Sequence, residues 1–187
     1  MASMDRACGL YAAHGVAFDR ESQECAATNG GNSVYLAIVV LLNVVLPVVS
    51  IIVESFLAPG ATPLMLLVGK WFVFWAAGVR LLLAGLKQVS QPGFTAHEIF
   101  RMKTDEALPI VRELGFANIA VGLLGVASIW ATSFVLPVAI AGAIFYGAAG
   151  VQHVMQKGKS GNETLAMATD LLAFVVLAAY VLYVWMN

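Results

Sequence analysis

Four ionisable side chains lie inside otherwise apolar stretches of this sequence: Arg80, Glu113, His153 and Asp170. An arginine in such a place is a permanent cation that can anchor an anionic or carbonyl oxygen, and a carboxylate can neutralise it. Histidine and carboxylate groups can also exchange protons. A charge left unpaired in hydrocarbon costs at least about 2.5 to 3.5 kcal/mol, so these groups are expected to meet.

Their spacing places the charged residues at a similar depth. Arg80 lies seven residues before Lys87, and therefore on the same helical face and roughly 10 Å deeper. Asp170 lies seven residues after Glu163, and Glu113 lies near the corresponding end of its own apolar stretch. We predict an ion pair between Arg80 and Asp170, with Glu113 as a second acceptor.

Two hypotheses for these residues remain open. In the first hypothesis their role is structural: they form a buried ion pair, an ion-pair lock, that determines which helices pack against each other. In the second they line a pocket, open to the cytoplasmic side, that binds a lipid head group or a quinone-like or other amphipathic ligand, with Glu113 and His153 exchanging protons. The predicted lining consists of Arg80, Glu113, Asn118, Tyr146, His153 and Asp170.

The elements that hold these residues are long apolar runs. Hydrophobic residues make up 60% of the chain and charged residues 11%, and the mean hydropathy is +0.86. These are too few charged residues to cover the surface of a soluble protein. About 20 apolar residues cross a hydrocarbon core roughly 30 Å thick. We predict an all-α integral membrane protein with five transmembrane helices at residues 33–57, 64–86, 108–130, 134–155 and 164–185.

Small side chains near the polar residues indicate where these helices approach one another. Alanines and glycines share a face with the polar residues of the last four spans, for example Ala117 and Ala120 after Glu113. We predict that residues 64–186 form a four-helix bundle whose interior holds the polar set. The 33–57 helix carries no comparable small-residue face and is predicted to be peripheral.

Basic residues are confined to one side of this topology. The connections 58–63 and 131–133 and the C-terminal tail carry no lysine or arginine. The other side carries Arg6, Arg20, Lys87, Arg101, Lys103, Arg112, Lys157 and Lys159. The positive-inside rule then places the N-terminus in the cytoplasm and the C-terminus outside. Glu54 and Lys70 fall toward the outer side, where we predict that they pair with each other.

The segments outside the membrane carry two further predictions. Residues 1–32 are predicted to form an extramembrane segment without a cleavable signal, because their apolar run is short and interrupted. Cys8 and Cys25 are then reduced in the cytoplasm, whereas the opposite topology favours a disulfide. Thr95 as an N-cap, with a glutamate three residues on, predicts an interfacial helix near residues 95–103.

Several classes of function lack their signature. The net charge of −1 and the absence of a basic cluster argue against nucleic-acid binding. His14 and His97 lie outside the spans, which argues against a bis-histidine haem, and no set of metal ligands occurs at helical spacing. No nucleophile elbow or phosphate-binding loop occurs, so no reaction is assigned. No cofactor is evident, and a quinone or lipid is the candidate ligand.

Two stretches carry a family resemblance: VRLLLAGLKQVSQPGFTAHE at 79–98 and LPIVRELGFANIAVGLLGVASI at 108–129. They resemble the DoxX-like group of small bacterial membrane proteins, which is similar in three features. Here these features are Arg80 in the first helix, Ala84–Gly85 with Lys87 one position early at its end, and Glu113–Leu114–Gly115 opening the second helix. The resemblance covers about residues 64–185. It implies a four-helix bundle, a bacterial inner membrane and a link to quinone-associated redox systems.

The chain departs from that group by adding the 33–57 helix and the segment before it. This departure supports an alternative function, a non-catalytic accessory subunit of a larger membrane complex, for example an electron-transfer complex. Such a subunit would dock through residues 1–57. Association with further copies of the chain is also open.

Overall fold

The computed structural model describes residues 36–99, 102–155 and 161–187. Within these ranges the chain forms helices joined by turns, with no strand, as predicted. Five of the helices in the described part of the chain are long and apolar enough to cross a membrane, as expected of a multi-pass membrane protein. They are α1 (Leu36–Leu57), α2 (Leu64–Ser90), α3 (Leu108–Ala127), α4 (Val135–Met155) and α5 (Gly161–Met186).

The turns between the helices follow from local backbone chemistry. Gly60 has φ of 72° between α1 and α2, a left-handed conformation that suits glycine. A proline occupies the first turn of α3, where its missing N–H leaves no helical hydrogen bond unmade. Short 3₁₀ turns at Asp105–Ala107 and Thr132–Phe134 lead into α3 and α4. The predicted segment 1–32, with its two cysteines, lies outside the described residues.

Helix α2 is central to the assembly of helices from Val39 onward, because it packs against each of the other four. Helix α3 lies along α2, α4 lies along α5, and α1 packs on α2. The apolar core is formed between α2, α4 and α5. Its buried residues are Phe72, Val73, Ala76, Ala77, Leu81, Val135, Val138, Ala139, Ala143, Tyr146, Ala173, Leu177 and Tyr180.

Two of the five long helices contain a π-helical segment, in which the backbone hydrogen bond spans five residues instead of four. The segments are Leu41–Val45 in α1 and Val73–Val79 in α2, and they contact each other. The Arg80 N–H donates to the carbonyl oxygen of Trp75, five residues earlier. A π turn changes the direction in which the following side chains point, and such turns are frequent at functional sites.

The contact between α2 and α3 depends on glycines that face each other. A Cβ at Gly125 would lie 2.5 Å from the Cα of Gly78, and one at Gly85 would lie 2.6 Å from the carbonyl oxygen of Gly115. These distances mean that the two backbones are in contact, as in membrane helices packed through small residues. The contact fixes the rotation of α3 about its axis.

This rotation corrects the predicted inner face of the third span. Ala117 and Ala120, predicted to face the bundle, are exposed, and the face buried against α2 carries Gly115, Asn118 and Gly125 instead. Glycine leaves the backbone bare and permits a closer approach than alanine does, so the glycine face makes the contact.

Replacing Gly125 with alanine is therefore expected to lower the free energy of unfolding by about 1 to 3 kcal/mol, because the new methyl group overlaps the backbone of α2. Thermal unfolding of the purified chain in detergent measures the change. Gly93→Ala is the matched control, since its Cβ would meet its nearest neighbour, on His97, at 3.6 Å. Equal melting temperatures for the two variants would contradict the packing argument.

The loop after α2 contains a short helix that differs in detail from the predicted one. The backbone is helical over residues 92–99, with a π-helical stretch at Phe94–Ile99. Thr95 lies inside this helix and is not its N-cap, so that prediction is wrong. Pro92 occupies the first helical position, where its fixed φ and missing N–H are tolerated, and this start leaves Thr95 in the interior.

Candidate functional site

Five polar side chains from four helices meet inside the assembly, and we call them the Arg80 cluster. They are Asn43 from α1, Arg80 from α2, Tyr146 and His153 from α4, and Asp170 from α5. Asn43 lies within the π segment of α1, and Arg80 directly follows the π segment of α2. The two irregular turns therefore direct these side chains toward each other.

The ion pair that the sequence predicts is present at the centre of this cluster. Arg80 Nη2 donates to Asp170 Oδ1 at 2.6 Å. The side chains of Arg80 and Asp170 are only 14% and 8% exposed. Arg80 lies ten residues before the end of α2, a depth of about 15 Å, so the pair lies well inside the span. At this depth each charge depends on the other for its stability.

Asn43 is a member of the cluster that the sequence reasoning missed. Its side-chain oxygen accepts a hydrogen bond from Arg80 Nη1 at 3.2 Å, while its amide nitrogen donates to the carbonyl oxygen of Val39 at 2.8 Å. Asn43 is fully buried. The available signal was an amide in the middle of a strongly apolar helix. Helix α1 therefore contributes a contact to the cluster, although the prediction placed this span at the periphery.

Tyr146 supports Arg80 in two ways. The guanidinium carbon of Arg80 lies 4.9 Å from the centre of the Tyr146 ring, a cation–π contact. The Tyr146 hydroxyl donates to the carbonyl oxygen of Ala76, inside the π segment. In a regular helix the backbone N–H of Arg80 would bond to the carbonyl oxygen of Ala76, but here it bonds to that of Trp75. The Tyr146 hydroxyl instead donates to the Ala76 carbonyl oxygen. Tyr146 thus contacts both the charge of Arg80 and the backbone turn that directs it.

His153 approaches the oxygen of the Asp170 carboxylate that Arg80 does not contact. His153 Nε2 is 4.0 Å from Asp170 Oδ2, while Oδ1 of the same carboxylate accepts from Arg80. His153 is buried and lies two residues before the end of α4. Asp170 therefore has two cationic partners within reach, one permanent and one that depends on protonation.

Two residues of the predicted lining lie elsewhere. Glu113 is exposed on α3 and does not act as a second acceptor for Arg80, so that prediction is wrong. The reason is the rotation of α3, which turns its glycine face toward α2. Asn118 is buried but donates to Gln88 at 2.8 Å, in the contact between α2 and α3. Gln88 lies eight residues after Arg80, about 12 Å along the helix.

The polar interior of the described chain is fully hydrogen-bonded. Among the described residues, no buried side-chain nitrogen or oxygen lacks a hydrogen-bond partner. The same part of the chain contains no group of three or more His, Cys, Asp or Glu side chains placed to hold a metal ion. The Arg80 cluster offers a buried guanidinium that is held by a carboxylate, an amide oxygen and an aromatic ring.

A second polar group lies toward the opposite ends of α1 and α2, where Glu54 and Lys70 form the predicted pair. Lys70 Nζ is 2.8 Å from both carboxylate oxygens of Glu54. The indole N–H of Trp71 donates to Glu54 Oε2 at 2.7 Å. These three side chains form a compact polar group between two helices.

Comparison with known proteins identifies a family that covers most of the chain. Residues 33–187 match a family described as a family of unknown function, DUF6790. No curated protein and no solved structure matches the chain. The matched region contains all five long helices of the described chain and every residue of the Arg80 cluster.

Proposed function

The chain belongs to the family DUF6790, and we propose that it binds an amphipathic ligand at the Arg80 cluster. The head group of this ligand would present an anionic or carbonyl oxygen to Arg80, as a quinone-like molecule does. The observation that supports this proposal is the division of the Asp170 carboxylate between Arg80 at 2.6 Å and His153 at 4.0 Å.

That division makes exchange of partners feasible in a medium of low dielectric constant. A ligand oxygen that takes the place of Asp170 Oδ1 on Arg80 leaves a carboxylate that needs a new partner. His153, when it carries a proton, supplies one at the second oxygen of the same carboxylate. An anionic ligand oxygen then compensates Arg80, or a carbonyl oxygen accepts its hydrogen bond, while His153 compensates Asp170.

The depth of the Arg80 cluster in the membrane limits which molecules can reach it. Arg80 lies about 15 Å along α2 from its C-terminal end, so a head group that reaches it must enter the hydrocarbon region. A molecule with an apolar tail and a small polar head group meets this requirement. The resemblance of residues 64–185 to the DoxX-like group, linked to quinone-associated redox systems, favours the same class.

The test is to extract the full chain in mild detergent and identify the lipophilic molecules that accompany it by mass spectrometry. We expect the wild-type chain to retain a quinone-like molecule, and Arg80→Gln/Asp170→Asn to retain at least tenfold less. This double change removes both charges together and preserves side-chain size, so it leaves no unpaired ion. Lys87→Met, which removes an exposed charge from the same helix, is the matched control and is expected to retain the ligand.

Two outcomes would overturn the proposal. One is equal retention of the molecule by the wild type and the double variant. The other is a preparation without any lipophile but with a stoichiometric protein partner. That second outcome would favour the accessory subunit docking through residues 1–57, with the Arg80–Asp170 pair as its internal lock.

A further inference from the structure

An open groove lies between α1 and α2, toward the ends of these helices that are remote from the Arg80 cluster. Its volume is about 320 Å³. The residues that line it are Val49, Ser50, Val53, Glu54, Leu57 and Trp71. Trp75 donates to Ser50 Oγ at 3.0 Å and so ties the two helices together beside the groove. The wall is mostly apolar, with one charged group in it.

That charged group is Glu54, and its partner Lys70 lies beside the groove in direct contact with it. The side chains of Lys70 and Glu54 are 28% and 27% exposed. Lys70 Nζ also lies 5.0 Å from the centre of the Trp71 ring. Together the three side chains carry no net charge, but they present an ammonium, a carboxylate and an aromatic face side by side.

The depth of the groove matches the boundary between lipid head groups and acyl chains. Glu54 lies three residues before the end of α1, about 5 Å, and Lys70 lies six residues after the start of α2, about 9 Å. Tryptophan is enriched at this boundary in membrane proteins. Beyond the charged group the groove continues over Val49 and Val53, which present only apolar surface.

We propose that this groove binds one zwitterionic phospholipid. The lipid phosphate pairs with the Lys70 ammonium, and the lipid ammonium pairs with the Glu54 carboxylate and the Trp71 ring, which attracts cations. One acyl chain covers the apolar wall at Val53. An anionic lipid fits less well, since its phosphate brings a negative charge beside Glu54 and the lipid supplies no ammonium of its own to balance it.

The experiment compares lipids that differ only in head group. The full chain in neutral detergent is titrated with a phosphatidylethanolamine or a phosphatidylglycerol of the same acyl chains, and bound lipids are counted by native mass spectrometry. We expect one phosphatidylethanolamine to be retained at least fivefold better than phosphatidylglycerol. Glu54→Gln/Lys70→Met is expected to abolish this preference. Glu113→Gln/Lys87→Met makes the same change of charge at exposed positions elsewhere and is expected to keep it.

A third variant tests the groove without altering its charges. Val53 is 48% exposed, so Val53→Trp fills the groove at a surface position and is expected to reduce phosphatidylethanolamine retention at least fivefold. Equal retention of the two lipids by the wild type would overturn the proposal, whether or not any variant folds. The proposal would also be overturned if both Glu54→Gln/Lys70→Met and Val53→Trp kept the wild-type preference for phosphatidylethanolamine.

Discussion

Replacing Asp170 with alanine is expected to lower the free energy of unfolding by about 3 to 5 kcal/mol, the largest effect of any single change considered. The Arg80 guanidinium would lose its partner at 2.6 Å while remaining only 14% exposed. Arginine cannot release its proton in a protein, so the charge cannot be neutralised locally. Unfolding in detergent, followed by circular dichroism, measures the loss.

The converse change, Arg80→Ala, is expected to cost less. The carboxylate of Asp170 would still have a basic group near it, because His153 Nε2 lies 4.0 Å from its other oxygen. The double variant Arg80→Ala/Asp170→Ala is expected to be more stable than the Asp170→Ala variant and than the Arg80→Ala variant, because it leaves no unpaired charge. The four proteins form a double-mutant cycle, and its coupling is then larger than the loss caused by Asp170→Ala alone.

Glu113→Ala is the matched control for this cycle. Glu113 is an exposed carboxylate, and its loss is expected to change the stability by less than about 0.5 kcal/mol. If the losses from Arg80→Ala and Asp170→Ala simply added in the double variant, the pair would not be coupled. The close contact at 2.6 Å would then contribute nothing to folding, contrary to the argument from buried charge.

The Arg80–Asp170 pair could be predicted from the sequence because two strong physical constraints act on it. Length and hydropathy define the spans, and the cost of isolated charges in a membrane leaves few ways to pair them. Seven-residue spacing from the flanking charged residues then gives similar depths. The same reasoning placed Glu54 beside Lys70, which the structure brings to 2.8 Å.

The role of α3 could not be predicted in the same way. Its residues offer two small-residue faces, one with Ala117 and Ala120 and one with Gly115 and Gly125. Depth arguments do not distinguish faces that lie at the same height on one helix. The choice depends on how closely the two backbones approach, and it turned Glu113 outward.

Asn43 was missed for a different reason, since its place in the cluster depends on π turns. A regular helix has 3.6 residues per turn, and face assignments from sequence assume that value throughout. The π segments at Leu41–Val45 and Val73–Val79 break that assumption next to the residues that matter. Side-chain partners such as the Tyr146 hydroxyl stabilise these turns, and such partners are visible only in the folded chain.

Tyr146→Phe is expected to lower the free energy of unfolding by about 1 to 3 kcal/mol, although it removes a single oxygen atom. The Tyr146 hydroxyl donates to the carbonyl oxygen of Ala76, and both residues are buried. Without the hydroxyl, that carbonyl keeps no side-chain donor. The turn could become a regular helix only if Arg80 and the residues after it rotated by about 100°. The backbone contact between Gly85 and Gly115 opposes this rotation.

The phenyl ring of the variant still faces the Arg80 guanidinium, so any loss reports on the hydroxyl and not on the cation–π contact. Tyr183→Phe, at a half-buried tyrosine near the end of α5, is the matched control and is expected to change the stability by less than about 0.5 kcal/mol. Because the turn directs Arg80, Tyr146→Phe is also expected to reduce ligand retention, whereas a hydroxyl that only filled space would leave both stability and retention unchanged. Loss of stability with full retention would mean that the π turn supports the fold and has no part in binding.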